Sequence, residues 1–362
     1  MITSISTSRG GRTGERPLLV FVTYTGIGDL LMALPLLGTV RSRFHALPVI
    51  PSSYLDLAGL LVQDGLLDDY LLTDEDLVFS RNPFGHLRIS REISGLRPDT
   101  VVIYGKQMMA YAAHLGLVRT RRVLYGHPRG AAPPAGRGIE VLPPTGNRAQ
   151  DYLQFADRLG VPFTAPRITL SEQLRGLLAD AARAKIPWPS YALIAPWSSD
   201  PSRDAPLAFF RKCIEIIIRA GDLPVVVTGL ASHRGAAEEL LYGLPQARIV
   251  NLVGATSLRQ LLEILAGAGF LLANDSGNLH MARLVGTPVV GVFGPTAPGQ
   301  IVSDLSGGFM TIRHPLPCSP CAHTSRHLRC PGTYRQCLVE LKGSDAKEAL
   351  LSACRMAAGQ VA

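Results

Sequence analysis

The residues from Phe270 to Gly299, FLLANDSGNLHMARLVGTPVVGVFGPTAPG, carry the densest chemistry in the chain. An apolar run ends in Asn274-Asp275-Ser276-Gly277, His280 follows one turn later, and a second apolar run stops at Gly294-Pro295. That order reads as strand, Gly-containing turn, helix start and strand. A helix beginning there presents unpaired backbone N–H groups and a partial positive charge, so a phosphate binds with little help from side chains. Asp275 then stands beside the anion and His280 one turn into the helix. The same tetrad serves equally as an N-cap in which Asp275 or Ser276 satisfies the first amides.

A second constellation, Thr25-Gly26-Ile27-Gly28-Asp29-Leu30-Leu31, again follows a strand and opens a helix. Leu31 stands where a dinucleotide fingerprint needs its third Gly, so a dehydrogenase reading is weak. Gly26 and Gly28 permit close backbone approach, and a carboxylate at Asp29 held near a sugar hydroxyl acts as a general base. An N-cap role for Asp29 fits its position as well.

Four of the six cysteines fall within twenty residues, as Cys318-x2-Cys321-x8-Cys330-x6-Cys337, with His314, His323 and His327 among them. In a reduced compartment such clustering favours a metal over disulfides. Four thiolates suit tetrahedral zinc or an iron centre, and a closed set would be structural, because no position is left for water. Reduced thiols without metal, or a disulfide, fit the spacing too. Cys213 lies within a helical pattern and reads as core.

These groups need a scaffold, and the composition supplies one. A chain of 362 residues exceeds the size at which one core stops growing, so two domains are expected. The apolar fraction of 47% and charged fraction of 18% fit a packed enzyme, and no apolar run is long enough to span a bilayer. Residues 1–16 are polar and lack the apolar core of a signal peptide; they read as a disordered lead-in to a cytoplasmic protein. The net charge of +8 is scattered, and aromatic residues are not interleaved with the basic clusters. This argues against a nucleic-acid surface and is met by a nucleotide, an anionic glycolipid or a phosphorylated substrate.

Strands and helices alternate twice. The first series holds strands over 17–23, 48–51 and 100–104, a weaker one at Leu71-Leu72, a helix from Leu30 to Arg43, an irregular Gly- and Pro-rich loop from Gly126 to Asn147, and a closing helix from Gln150 to Leu159. The second holds strands over 191–195, 223–229, 248–250 and 270–274, and helices over 207–220, 236–242 and 258–267. Two βα-repeating halves imply parallel sheets with helices on both faces, and ligands at the carboxyl ends of the strands. The expected divisions are an N-terminal domain at 17–168, a linker at 169–189, a C-terminal domain at 190–342 with the Cys-rich segment 318–337, and a helix over 343–362.

The GxGD turn whose helix ends Ala33-Leu34-Pro35, followed more than two hundred residues later by AND-SG-x-x-H-x-A-x-x-x-GTP-V-V-x-x-F-GPT, resembles glycosyltransferase family 9, the ADP-heptose:lipopolysaccharide heptosyltransferases. The likeness runs over roughly 17–340. It implies a GT-B fold, an α/β architecture of two Rossmann-like domains with parallel sheets facing a central cleft, and inverting transfer with no metal or cofactor needed for catalysis. Carried over by position, Asp29 matches the catalytic base and Asp275 the acid that contacts the donor sugar. Ser276, Gly277 and Asn278 match the amides that cradle the diphosphate, and His280 the imidazole near it. After the strand at 191–195 the family places a Lys on the phosphate; here Arg203 is the substitute, although a solvated loop Arg would read the same. The family's Glu near the donor ribose has no counterpart in Leu230-Ala231-Ser232-His233-Arg234, which leaves the nucleotide open. The implied partners are a nucleotide-diphosphate sugar donor and an anionic glycolipid acceptor of lipopolysaccharide-core type, with at most peripheral contact to the inner membrane and no nucleic acid. Transfer to a small metabolite or a protein side chain, a non-catalytic nucleotide-binding protein, and an epimerase or hydrolase on the same fold are the other readings.

Overall fold

The computed structural model describes residues 16–23, 26–74, 83–105, 107–127, 138–164, 168–301, 308–321, 330 and 335–359. The chain divides into two units, residues 1–168 and 169–362.

In the first unit the strands are β1 (Leu18–Val22), β2 (His45–Pro51), β3 (Leu71–Thr73), β4 (Thr100–Tyr104), β5 (Arg122–Gly126) and β6 (Ile139–Leu142). The helices are α1 (Ile27–Val40), α2 (Leu55–Gln63), α3 (Pro83–Leu96), α4 (Gln107–His114) and α5 (Arg148–Arg158). The strands pair in the order β3-β2-β1-β4-β5-β6, parallel throughout. Strands such as LLVFV and TVVIY are apolar at successive positions because both faces of the sheet are covered by helices, so alternation has no solvent side to mark. The stretch 126–147, expected as an irregular loop, contains β6. This edge strand is half-exposed, and its short IEVL run is masked in the sequence by flanking Gly and Pro.

The second unit repeats the plan with β7 (Ala192–Ala195), β8 (Val225–Val227), β9 (Ile249–Asn251), β10 (Phe270–Asn274), β11 (Val289–Phe293) and β12 (Phe309–Arg313). Its helices are α6 (Glu172–Arg183), α7 (Leu207–Ala220), α8 (Arg234–Leu241), α9 (Leu258–Gly267), α10 (Gly277–Leu284), the short α11 (Pro298–Ile301) and α12 (Gln336–Val339), and α13 (Gly343–Gly359). The parallel order is β12-β11-β10-β7-β8-β9. On α7 the apolar Phe209, Phe210, Cys213, Ile214 and Ile217 recur at helical spacing and are buried.

Residues 169–189 are not a linker. Ser171 caps α6 by accepting from Leu174 N, Leu174 and Leu178 are buried, and the helix packs on α9. Lys185 meets Glu263, and Tyr191 donates from its hydroxyl to Ile264 O at 2.6 Å. Both sheets are doubly wound, so each has one switch point, between β1 and β4 and between β7 and β10. Ligands of such sheets bind there, beyond the carboxyl ends of the strands.

Candidate active site

The segment after β1 leads to the switch point of the first unit. Gly26 is the N-cap of α1, with extended φ −74° and ψ 145°, and no side chain caps the helix. A Cβ at Gly26 would lie 2.9 Å from Asp29 Oδ2, so glycine leaves the space the carboxylate occupies. Asp29 is therefore not the cap. Its Oδ1 instead accepts from Arg148 Nη1 at 2.5 Å, with the Arg and Asp side chains only 19% and 15% exposed. Gly28 lies in the first turn beside it, half-buried.

Arg148 opens α5, one turn ahead of a buried polar cluster. Tyr152 O–H donates to Asp29 O at 3.4 Å and lies 3.3 Å from Thr23 Oγ1. Tyr104 O–H donates to Asp151 Oδ2 at 2.7 Å, and Asp151 Oδ1 accepts from Thr145 N and Oγ1, each at 2.7 Å. Burial pushes both tyrosine hydroxyls well above their ordinary range, with the negative charge of Asp29 adding to the effect at Tyr152, so both stay neutral donors. Arg148 escaped the sequence reading because no motif joins it to Asp29, 119 positions away.

The second unit gathers the other predicted residues at its own switch point. Asn274, fully buried at the end of β10, donates to Pro196 O at 2.5 Å and accepts from Ala205 N at 3.1 Å, stapling the loop that follows β7. In that loop Asp200 accepts from Ser202 N and Asp204 from Ser198 N, both at 2.9 Å. Burial raises the Asp204 carboxyl above the usual carboxylate value, against the hydrogen bonds from Ser198 and the charge of Arg203. The loop brings Arg203 Nη1 to 3.6 Å from Asp275 Oδ2, and the same oxygen accepts from Thr296 Oγ1 at 2.7 Å. Arg203 is thus no solvated loop residue. Thr296 follows the Gly294-Pro295 stop and closes the GPT of the motif, which gave its hydroxyl no role.

Ser276 is the N-cap of α10 but makes no side-chain cap bond, and its buried Oγ has no hydrogen-bond partner among the described residues. The expected Asp-Ser capping is therefore absent: Asp275 is turned to Arg203 and Thr296. Gly277 and Asn278 form the first turn, and His280 is buried one turn in. Next to this site Trp197 stacks on His233, with ring centroids 4.7 Å apart and planes at 15°. A Cβ at Gly229 would lie 2.7 Å from the Trp197 ring. This pair occupies the turn after β8, where an acid was missing from the sequence.

The described residues of the cysteine segment do not assemble a closed metal set. Among the described residues no three His, Cys, Asp or Glu groups come close enough to hold an ion, and no disulfide forms. Cys318 and Cys321 are half-buried, Cys330 is exposed and Cys337 is buried. Burial, helped by the neighbouring thiols, pushes Cys337 up to about 11 and raises Cys321. His314 is 3.1 Å from Glu340, while His323 and His327 lie outside the described residues. Cys213 is core, as expected, its thiol pushed up to about 12 by burial.

Two doubly wound sheets, each with a helix start that no side chain caps and an Arg–Asp pair close by, define an α/β protein of the Rossmann type. The sequence profile of Glycosyltransferase family 9 (heptosyltransferase) matches residues 150–330, half of the chain, and the protein belongs to that family. Arg203 and Asp275 to His280 fall inside the match, whereas Asp29 and Arg148 fall outside it. Lipooligosaccharide heptosyltransferase 2 of Haemophilus influenzae is 32% identical over 116 residues, 31% of this chain and 33% of that protein. The aligned stretch thus spans about a third of such relatives. Among solved structures, a glycosyl transferase of family 9 from Veillonella parvula superposes with a TM-score of 0.72 at 16% identity, covering 96% of this chain and 99% of that one. ADP-heptose lps heptosyltransferase II of E. coli gives 0.66 at 18%, covering 95% and 100%. The fold is therefore the GT-B class read from the sequence, with two Rossmann-like halves each built on a six-stranded parallel sheet.

Proposed function

We propose that the protein is an inverting glycosyltransferase that moves a heptose from ADP-heptose to an acceptor hydroxyl of the lipopolysaccharide core. The observation that carries this reading is the second unit's switch point, where the uncapped start of α10 and Arg203 offer positive potential to a diphosphate beside the buried Asp275. In this mechanism Asp29 takes the acceptor proton, the acceptor oxygen attacks the anomeric carbon, and the carbon–oxygen bond to the diphosphate breaks with its electron pair leaving on the nucleotide. Developing charge on the diphosphate meets the amides of Gly277 and Asn278, the Ser276 hydroxyl, the helix dipole and Arg203. These groups supply the charge stabilisation that a metal would otherwise provide. Asp275, fixed by Thr296, faces the sugar. The Trp197–His233 stack lines the nucleoside side.

A peripheral membrane contact follows from the acceptor. No described helix is long and apolar enough to cross a membrane. On the first unit, α3 and the turn before β5 lie side by side, since Ser94 Oγ donates to Leu117 O at 2.8 Å and accepts from Arg119 N at 2.9 Å. These segments expose Leu87, Leu115 and Leu117 and also Arg88, Arg91, Arg119 and Arg121, of which Arg88 pairs with Glu92 and Arg121 with Asp99. Apolar tips and guanidinium groups suit an anionic lipid surface.

The donor assignment is tested by the melting temperature against ADP, GDP, UDP, CDP and dTDP. A nucleotide at a hundred times its Kd stabilises by about 2.7 kcal/mol. The reading expects ADP to shift the melt most; selective stabilisation by another nucleotide names a different donor, and no shift from any contradicts the site.

A further inference from the structure

The Arg148–Asp29 pair poses a chemical problem for the proposed base. A carboxylate in contact with a guanidinium at 2.5 Å, with both side chains more than four-fifths buried, is stabilised as an anion. Taking a proton from the acceptor forfeits that attraction, so the pair as it stands weakens Asp29 as a base. Nor does the pairing serve the helix: Arg148 is the first residue of α5, where the helix dipole disfavours a cation. Two described neighbours do not compensate. Tyr152 donates to the Asp29 backbone oxygen and is kept neutral by burial, while Asp151 is committed to Tyr104 and Thr145.

We propose that Arg148 is a latch on the base and the positioning residue for the acceptor. In the acceptor-free protein its guanidinium holds Asp29, and an anionic group of the acceptor, a phosphate or carboxylate near the attacked hydroxyl, draws it away. Asp29 is then released to take the hydroxyl proton as the new carbon–oxygen bond forms. Binding of the correct, charged acceptor thereby switches the base on, and a neutral hydroxyl such as water meets a base that is still held. The inference rests on Asp29 being the base.

The test compares wild type, Arg148→Gln and Arg148→Lys on two probes: core oligosaccharide from heptose-deficient lipopolysaccharide with its carboxylates and phosphates, and the same oligosaccharide after carboxyl reduction and dephosphorylation. On the charged probe Arg148→Gln is expected to lower kcat/KM by about 10- to 100-fold, the value of one charge-assisted contact, with Arg148→Lys between. On the neutral probe Arg148→Gln is expected to exceed wild type, and the acidic limb of its pH–rate profile to move to higher pH. Equal losses on both probes would make the pair merely structural and overturn the latch, as would an unchanged Arg148→Gln. Asp29→Asn separates the two failures, since transfer by that variant at the wild-type rate removes the base itself.

A second measurement needs no turnover. Saturating inorganic phosphate is expected to move the Asp29 carboxyl carbon resonance in wild type and to leave it unmoved in Arg148→Gln; no movement in wild type overturns the latch.

Discussion

Arg203 is the residue on which the proposed donor site turns. Its guanidinium reaches Asp275 and Asp200 at 3.6 and 3.7 Å, distances loose enough for a diphosphate to take over the contacts. Arg203→Ala is expected to weaken nucleotide binding by about 10- to 100-fold, since hydrogen bonds to charged groups contribute about 1.5–3 kcal/mol. Lysine restores part of that as a point charge without the fork. Titration calorimetry checks this, and unchanged affinity would remove Arg203 from the site. Asp204 behaves differently because its carboxyl is buried. It binds its proton more tightly folded than unfolded, so its contribution is full below the ordinary value of 3.8 and is lost as pH rises through the raised folded value. Asp204→Asn keeps an oxygen for Ser198 N and cannot ionise. Its melting temperature relative to wild type is expected to climb as pH rises from about 4 toward neutrality, the direction linkage requires. Residue-scale chemistry was legible where it was local: Asp275 to His280 follow one another along strand, turn and helix. Arg148 reaches Asp29 from 119 positions away, and Thr296 reaches Asp275 from the far end of the same strand–helix–strand unit, contacts that only the folded sheets bring about.

At the scale of elements, helices with strong amphipathic periodicity could be read to the residue. α7 and α9 begin and end where the pattern and, for α9, the Ser257–Gln260 capping box place them. Other elements were missed, for different reasons. The EQLRGLLADAAR run of α6 carries Leu174, Leu178 and Ala182 at helical spacing and packs on α9, but the prolines on either side of it gave the segment the look of a connection. Because the cap bond at 3.3 Å is local and part-buried, Ser171→Ala is expected to lower unfolding free energy by about 1 kcal/mol. Chemical denaturation of the full chain measures it, and a neutral result would show that packing alone fixes α6. The strand β6 was hidden for the opposite reason: four residues at a sheet edge, half-exposed, leave no apolar run to recognise.

At the scale of the whole molecule, the net charge of +8 suits the anionic donor and glycolipid of the proposed reaction. The proposed membrane contact rests on three exposed leucines and four arginines of α3 and the turn before β5. Each arginine near such a surface adds about 1 kcal/mol, so replacing Arg91, Arg119 and Arg121 together by Gln is expected to reduce binding to vesicles rich in anionic lipid by about 100-fold. Retention on those vesicles would place the membrane contact elsewhere. The central claim is that Asp29 drives transfer of a heptose with inversion. Its most direct test incubates wild type and Asp29→Asn with ADP-heptose and heptose-deficient lipopolysaccharide, then reads the product by mass and by the anomeric coupling of the new linkage. The account predicts one added heptose of inverted configuration with wild type, and a loss of at least about 100-fold with Asp29→Asn while ADP still binds. Retained configuration, or wild-type turnover by Asp29→Asn, would contradict it.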